Sequence, residues 1–560
     1  MKASVRVLIA LLVITALVLP RVADLTAFTA ADEPFWMVVG ANYYYALTHR
    51  EFENTVYEYH PAVTTMWVVT AAMLLYFPEY RAIMNGYFQQ EKTSFDTWLV
   101  DHGRDPLTLL WWGRLLQTLV NVGLWLAGFL LLRYLLDEWI ALTVLLLASF
   151  APYLFGQSRM LNHESMVALF SLHAILAMTV FLFRGGKPAF LALSALAAAL
   201  ANLTKSSSIV LLPVIAGMIL ARAGAEIRLR GRTVGPLASG LKHFLAWIGL
   251  AVFFYFLIWP GMWVAPGRML SEVYGNAFSY AFQGARLSVA TEFEPSSFGL
   301  ESAGTGILGF LGSIAWRTTP LTWIGLALSV LWFFQPGQGS VPALTKWLLA
   351  FLVLEAAATI AMFGLIRGRD SPHYVLAAHV SLEVTAALGW AVALRRLGQA
   401  IQWLGRPLTQ AAMLLALLAG QAAALLTTGP YYYTYYNPVL RALTDNKYPL
   451  FFYGERMEQA AAHLGSKPGA RELTALVYFG RSFSYYFPGE TLVFKPVFFE
   501  DRGQLLDNLR QSDYLVVYTG LHARMPLLNE MRPERVLYLY GREYVEIYRL
   551  ADQPAGLFQN

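Results

Sequence analysis

Two adjacent carboxylates, Asp32 and Glu33, follow directly after the first apolar segment of the chain, and Pro34 comes next. A carboxylate can serve as a general base that takes a proton from a hydroxyl group. The alternatives are a solvated loop or the start of a helix, for which Asp followed by Glu and Pro is a typical sequence. The spacing of the pair leaves these interpretations open.

Further ionisable residues stand at the predicted ends of apolar segments. Glu164 begins one segment directly after His163, and Lys205 ends another in "NLTKSS". Glu164 either binds a divalent ion with Asp32 or caps a helix, and Lys205 either contacts a phosphate or ends its helix. The other candidates are His60 in "YEYHPAV", Arg159 in "SRMLNHES", and Arg367, Arg369, His373 and Tyr374 in "LIRGRDSPHY". Arg side chains at such positions also reach toward lipid headgroups without any further role.

The composition identifies the kind of chain that must position these residues. Of its 560 residues, 57% are hydrophobic and only 14% are charged, whereas soluble chains carry roughly 25% charged residues. Together with several long apolar runs, this composition predicts a polytopic membrane protein. The net charge of +5 resides in short loops and does not indicate nucleic-acid binding. The absence of Cys excludes disulfides and thiolate metal sites.

About eleven segments have the roughly 20 apolar residues that a membrane crossing requires. We place them near 4–22, 111–135, 139–156, 164–183, 188–204, 207–222, 243–260, 316–334, 345–366, 373–394 and 408–428. We expect the first to be a retained helix rather than a cleaved signal peptide. Lys and Arg in the loops, above all in "RAGAEIRLRGRTVG", predict a cytoplasmic N-terminus. This orientation requires the apolar stretch 62–77 to lie at the outer surface without crossing.

The last part of the chain changes character after residue 429. Segments such as "ELTALVYFG", "TLVFKPVFF", "DYLVVYTG" and "RVLYLYGREYVEIYRL" are typical of short strands, and "EDRGQLLDNLRQS" and "HARMPLLNEMRP" of helices. We therefore predict a transmembrane domain over 1–429 and a small α/β domain outside the membrane over 430–560.

Three ionisable residues, Glu355, His379 and Glu383, fall inside predicted spans. Such residues are costly in a membrane and often functional. They favour a different class of protein, an ion-coupled transporter or lipid flippase. Against that class, the chain shows no paired halves with interrupted helices. A third alternative, a non-enzymatic assembly scaffold built around the tail, leaves the membrane motifs unexplained.

The order of the motifs resembles that of the GT-C-fold glycosyltransferases of the protein O-mannosyltransferase and aminoarabinose-transferase kind. The matching pieces are Asp-Glu in the first outer loop, a later "HP", "SR" and "HE" at a span start, "LTK", "WPGMWVAP", and a late "R" followed by "HY". The segment "GPYYYTYYNPVL" resembles bacterial members with an extra outer domain. The resemblance covers most of residues 1–460.

This resemblance implies a plasma-membrane enzyme that transfers a sugar, of a hexosyl or mannosyl-like kind, from a polyprenyl-phosphate carrier. The acceptor would be a protein, a lipid or a glycan on the extracytoplasmic face, and the sugar carbon would be inverted. A departing phosphate needs no strong acid, so the site needs a base for the acceptor and positive charge for the phosphate.

The resemblance also implies roles for the candidate residues. The catalytic positions are Asp32 and Glu33. The donor phosphate would be bound by Arg369 and Tyr374 with Arg367 and Lys205. Glu164 with His163 forms a second acidic site, at which a divalent metal remains an open alternative. His60, Arg159 and His373 complete the expected site. Two positions depart from the family pattern, since relatives usually carry Asp where Glu164 stands and Arg-Tyr where His373-Tyr374 stand.

Overall fold

The computed structural model describes residues 3–57, 60–89, 94–231, 234–283, 306–336, 342–366, 371–445, 447, 451–494, 502–554 and 557–558. Most of these residues are helical, and every strand within the described ranges lies between residues 474 and 549. The predicted class, a chain of many apolar helices followed by a small sheet, is confirmed.

The apolar helices form one bundle. The longer ones are Ala3–Val22, Pro106–Leu135, Glu164–Phe183, Leu211–Arg230, Val234–Ile258, Ala343–Leu365, Leu376–Ala400 and Pro407–Leu426, and the shorter ones are Val63–Tyr76, Glu138–Ser149, Pro188–Thr204 and Pro320–Phe334. Within the described ranges, seven helical segments are long and apolar enough to cross a membrane. Each predicted span contains a helix, and the number of crossings stays a prediction.

Two predicted spans differ in their boundaries. The segment 139–156 is broken into Glu138–Ser149 and Pro152–Gln157. The break arises because Pro152 has no amide proton and forces the residue before it into an extended conformation. The segment 316–334 begins instead at Pro320, where the Thr319 side chain accepts a hydrogen bond from a backbone amide of the new helix.

Shorter helices connect and cover the bundle. They are Glu33–His49, Tyr80–Ile83, Ser94–Asp101, Gly261–Val264, Pro266–Leu270, Asn276–Gln283, Gly306–Arg317, Pro438–Leu443, Met457–Gly465, Gly480–Ser484 and Arg502–Arg510. The stretch predicted not to cross, 62–77, forms the helix Val63–Tyr76, which packs against Glu33–His49 and Pro106–Leu135. Its 14 residues span about 21 Å, less than the roughly 30 Å hydrocarbon core of a membrane.

The C-terminal region contains a five-stranded sheet. The strands are β1 (Thr474–Tyr478), β2 (Glu490–Phe494), β3 (Tyr514–Tyr518), β4 (Arg535–Leu539) and β5 (Arg542–Arg549), in the order β2-β1-β3-β5-β4. β1 pairs in parallel with β2 and β3, and β5 pairs antiparallel with β3 and β4. The predicted strands are present, but the last one is a hairpin that turns at Tyr540 and Gly541, both of which have positive φ.

One predicted helix of this region is absent from the structure. The segment "HARMPLLNEMRP" forms two short 3₁₀ turns, Thr519–Ala523 and Pro526–Glu530. Pro526 lacks the amide hydrogen that a continuous helix would use at this position. The domain division at residue 429 stays a prediction.

The sheet region packs against the loop and helices that surround Asp32. Arg481 forms a buried ion pair of 2.9 Å with Asp96, and the phenol of Tyr486 lies 3.0 Å from the hydroxyl of Thr29. The backbone amide of Ala31 donates to the carbonyl of Tyr453. The C-terminal region therefore contributes directly to the surroundings of Asp32.

Candidate active site

Asp32 stands immediately before the Glu33–His49 helix, and its side chain is exposed to solvent. The carboxylate makes no capping hydrogen bond to the helix, although its position is that of an N-cap. Instead, the phenol of Tyr453 donates a 2.6 Å hydrogen bond to Asp32 Oδ2. The carboxylate is therefore held in one orientation while water can still reach it.

The surroundings of Asp32 change its acidity. Although water reaches the carboxylate, the dense protein around it solvates the negative charge poorly and raises its pKa above the ordinary value. The hydrogen bond from Tyr453 and the nearby His163 lower the pKa, and the carboxylates of Glu164 and Glu33 reinforce the increase. A raised pKa makes Asp32 a stronger base than a fully solvated Asp.

Glu33 lies in a different environment from its neighbour. It is 1% exposed, and Arg114 Nε donates to its Oε1 at 2.6 Å. A second nitrogen of the same guanidinium binds the other carboxylate oxygen. The backbone amides of Leu161 and Ala30 also donate to Glu33, at 2.8 Å and 2.7 Å. Glu33 thus joins the Asp32 loop, the Pro106–Leu135 helix and the turn before Glu164, and it positions these elements.

The second acidic residue, Glu164, is buried in a cluster of cationic and imidazole groups. Lys205 Nζ donates to Glu164 Oε1, and His163 Nε2 lies 3.2 Å from the same oxygen. His373 Nε2 lies 4.0 Å from it. Lys205 and Glu164 thus form a buried ion pair. This pair links the start of the Glu164–Phe183 helix to the end of the Pro188–Thr204 helix.

Aromatic rings connect this cluster to Asp32. The His163 ring lies 4.8 Å from the rings of both Trp36 and His60. The His373 ring lies 5.6 Å from the ring of Tyr453, the residue that binds Asp32. The structure therefore brings together residues from five separate parts of the chain. They are Asp32, Glu33, His60, His163, Glu164, Lys205, His373 and Tyr374.

Two groups of predicted residues lie elsewhere or outside the described residues. Arg159 donates to the backbone carbonyls of Arg21 and Ala23, and it lies over the ring of Tyr432. These contacts fix the segment that leads into Asp32. Arg367 and Arg369 lie outside the described residues.

An apolar cavity of about 450 Å³ opens beside the cluster. Its polar wall includes His60, Lys205 and Ser206, and its apolar wall includes Phe278, Met362 and Ile366. Tyr374 also lines it, with its ring 4.6 Å from Lys205 Nζ. The cavity can hold a molecule with a long apolar part and one anionic group.

The sequence did not predict two contacts of this site, the one between Arg114 and Glu33 and the one between Tyr453 and Asp32. Arg114 is a charged residue inside an apolar helix, and this signal alone could have marked it as a partner of a buried acid. Tyr453 carries no comparable signal, because it lies 421 residues from Asp32 along the chain.

The ionisable residues inside the predicted spans contact threonine or tyrosine side chains, while Glu355 Oε2 and His379 Nε2 have no hydrogen-bond partner among the described residues. Thr322 Oγ1 donates to Glu383, at 3.0 Å and 2.9 Å from its two oxygens, and Thr359 donates to Glu355 at 3.2 Å. The His379 ring lies 4.9 Å from the Tyr153 ring. The cavity beside Glu383 measures about 10 Å³, which is room for about one water molecule.

The His, Asp and Glu side chains near Asp32 and Glu164 are the candidate ligands for a divalent metal. Within the described ranges, no three His, Asp or Glu side chains lie where they could share one metal ion. Glu164, the predicted second ligand, is engaged by Lys205.

No family model matches the chain, and no curated protein matches it. Among solved structures, the chain is similar to ArnT from Cupriavidus metallidurans bound to undecaprenyl phosphate, with 13% identity, a TM-score of 0.49 and coverage of 99% of both chains. It is also similar to the oligosaccharyltransferase AglB from Archaeoglobus fulgidus in complex with an inhibitory peptide and a dolichol-phosphate. The identity there is 14% and the TM-score 0.40, over 92% of this chain and 71% of that one.

Proposed function

We propose that this chain is an integral membrane glycosyltransferase. It transfers a sugar from a polyprenyl-phosphate carrier to an acceptor hydroxyl on the extracytoplasmic face of the plasma membrane. One observation carries this proposal: an exposed carboxylate with a raised pKa, Asp32, lies next to a charged cluster that opens into an apolar cavity. The sugar is of a hexosyl or mannosyl-like kind by the resemblance, and the acceptor is a protein, a lipid or a glycan.

The reaction requires one bond to form and one to break. The acceptor oxygen attacks the anomeric carbon, and the bond from that carbon to the phosphate oxygen breaks with its electron pair on the phosphate. Asp32 takes the proton of the acceptor hydroxyl as that oxygen bonds to carbon. Attack from the face opposite the phosphate inverts the anomeric carbon.

The departing phosphate gains negative charge, which nearby cations stabilise. Lys205 lines the polar wall of the cavity, and Tyr374 lies beneath its ammonium group. In the sequence, Arg367 follows directly after Ile366, which also lines the cavity, and Arg369 comes two residues later. We propose that these arginines, Lys205 and Tyr374 bind the donor phosphate, and that the polyprenyl chain occupies the apolar part of the cavity.

Filling the cavity should displace the carrier lipid. We expect Ala277→Trp, at the cavity wall, to reduce the polyprenyl phosphate that co-purifies with the full-length protein at least fivefold, as measured by lipid mass spectrometry. The control is Ala423→Trp, at an exposed position of Pro407–Leu426, which should retain the wild-type amount. If polyprenyl phosphate is added to nanodiscs that contain the wild-type protein and none is bound to the protein, this result would contradict the proposed donor.

The proposed orientation places the site and the basic loops on opposite sides of the membrane. Glu164 begins its helix at the site, whereas Arg184, at the other end, donates to the carbonyl of Leu135. Nearby, Arg395 pairs with Asp137 at 2.7 Å. Since the 20 residues of this helix rise about 30 Å, the two groups of residues lie about one membrane thickness apart.

Reporter fusions can test this orientation. We expect a fusion at Gly235 to report the cytoplasm and a fusion at Gly465 to report the outer side, because basic loops remain inside. A dual reporter carries two enzymes, one active only in the cytoplasm and one active only outside it, and so reports the side of the membrane at each fusion position. The same answer at both positions would contradict the arrangement.

The transporter or flippase alternative lacks a comparable observation. Glu355 and Glu383 are hydrogen-bonded by threonines within the bundle. The cavity beside Glu383, at about 10 Å³, is too small for a substrate path.

A further inference from the structure

A second cavity lies along the Glu33–His49 helix, separate from the cavity beside Lys205. Its volume is about 260 Å³, just below the range of about 300–1,000 Å³ that is typical of small-ligand sites. Its wall combines amide, phenol and guanidinium groups with apolar surface, and includes Asn42, Tyr43, Asn54, Tyr57, Tyr87 and Arg268. A sugar ring needs this combination, because it presents hydroxyl groups at its edge and apolar C–H groups on its faces.

Two polar side chains of this cavity have no partner among the described residues. Tyr43 is 1% exposed, and its hydroxyl forms no hydrogen bond to any residue that the structure describes. A buried hydroxyl of this kind is available to donate a hydrogen bond to a molecule in the cavity or to accept one from it. Arg268 is exposed, and no hydrogen bond or ion pair joins it to any residue that the structure describes.

The rest of the cavity wall is rigidly held. Asn42 exchanges two hydrogen bonds of 2.9 Å with the backbone of Phe88. Asn54 donates to the phenol of Tyr87 at 3.1 Å. The ring of Tyr57 packs edge-on against the ring of Trp36, at 5.7 Å. These contacts preserve the shape of the cavity before a ligand enters it.

The helix itself connects this cavity to the proposed base. Asp32, Trp36, Val39 and Tyr43 stand at positions i, i+4, i+7 and i+11, which share one face of a helix. Val39 and Tyr43 line the cavity. The rise of a helix over seven to eleven residues places them roughly 10–16 Å from Asp32. An acceptor of two or three sugar units would span this distance.

We infer that this cavity is a sugar-binding subsite for the acceptor, which makes the acceptor a glycan. The inference rests on the proposed function, because the bound sugar is an acceptor only if the protein transfers a sugar to it, but sugar binding itself can be measured without any transfer. The Tyr43 hydroxyl and the Arg268 guanidinium supply hydrogen bonds to the sugar hydroxyls, and Tyr57 supplies an apolar face. The glycan extends along the helix so that its terminal hydroxyl reaches Asp32.

The chain contains no Cys, so a single introduced Cys can be labelled selectively. We would place one at Val56, which lines the cavity, and one at Glu53, an exposed residue nearby that does not. Both full-length variants are labelled in nanodiscs with a methanethiosulfonate reagent. The probes are methyl glycosides of glucose, galactose, mannose and N-acetylglucosamine, and octyl glycosides of the same sugars as lipid-linked forms. Binding is measured by saturation-transfer NMR.

We expect at least one glycoside to bind the unlabelled protein. Labelling of Val56→Cys should reduce its saturation transfer at least fivefold, and labelling of Glu53→Cys should leave it unchanged. A methyl glycoside that binds as well as its octyl form indicates a free or protein-linked glycan, and preference for the octyl form indicates a lipid-linked glycan. The absence of glycoside binding, or binding that survives the label at Val56, overturns the inference.

A second variant avoids the risk of misfolding. Tyr43→Phe removes only a hydroxyl that has no hydrogen-bond partner in the described part of the chain, so the thermal stability should stay equal or rise. The affinity for the same glycoside should fall three- to tenfold. Equal affinity in this variant would also count against the subsite. Sugar binding without any transfer would support the subsite and reject the proposed function. Sugar transfer by a protein whose cavity binds no sugar would support the proposed function and reject the subsite.

Discussion

Replacing Asp32 by Asn is expected to reduce sugar transfer by about 10²- to 10⁴-fold, because an amide cannot accept the proton of the acceptor hydroxyl. The substitution keeps the size of the side chain, and Tyr453 can still donate to the amide oxygen. Folding and donor binding should therefore remain near wild type. The measurement is turnover with a defined polyprenyl-phosphate sugar, with the co-purified lipid followed in parallel.

A matched control lies in the same loop. Asp24 is exposed and has a positive φ, which Asn tolerates well, so Asp24→Asn should retain full activity. The pH profile gives a second test. Asp32 acts as a base only when ionised, so turnover should fall as the pH drops through its pKa, which lies above the ordinary value of about 3.9. Near-normal turnover of Asp32→Asn would reject Asp32 as the base.

Replacing Glu33 by Gln is expected to act on stability rather than on chemistry. The change leaves the buried guanidinium of Arg114 without its counter-charge, and breaking a buried ion pair costs about 3–5 kcal/mol. The thermal unfolding midpoint of the purified protein should drop clearly, while the turnover of the protein that remains folded should fall less than in Asp32→Asn. Circular dichroism during heating, combined with activity per folded molecule, separates the two effects.

The same substitution at a surface pair provides the control. The Glu138 carboxylate lies 3.8 Å from the Arg133 guanidinium. The two side chains are 59% and 50% exposed, respectively. Glu138→Gln should change the stability by about 1 kcal/mol or less. Adding Arg114→Met to Glu33→Gln removes the uncompensated charge and should recover part of the loss. An unchanged unfolding midpoint in Glu33→Gln would show that Glu33 does not hold the Asp32 loop.

The sequence by itself determined the class of the protein and the position of its elements. Long apolar runs must be buried in lipid or in protein, so the helices could be predicted from composition and length. Alternating Val, Tyr and Phe likewise predicted the strands of the C-terminal region. The candidates at span ends could be identified because a charged group next to an apolar segment is energetically costly and therefore indicates a structural or functional role. Of these candidates, Glu164, Lys205 and His373 lie in one cluster.

Only the tertiary structure separated the roles of Asp32 and Glu33. The two residues are adjacent and chemically alike, but successive positions on a helix point in different directions. Glu33 therefore turns into the bundle toward Arg114, 81 residues away, whereas Asp32 faces solvent and Tyr453. The same holds for the second cavity, where Tyr43, whose hydroxyl has no hydrogen-bond partner within the described ranges, lines a wall together with groups from other segments. Local sequence fixes which elements form, but burial, ion pairing and the acidity of a group depend on residues that are distant in the chain and are brought near only by packing.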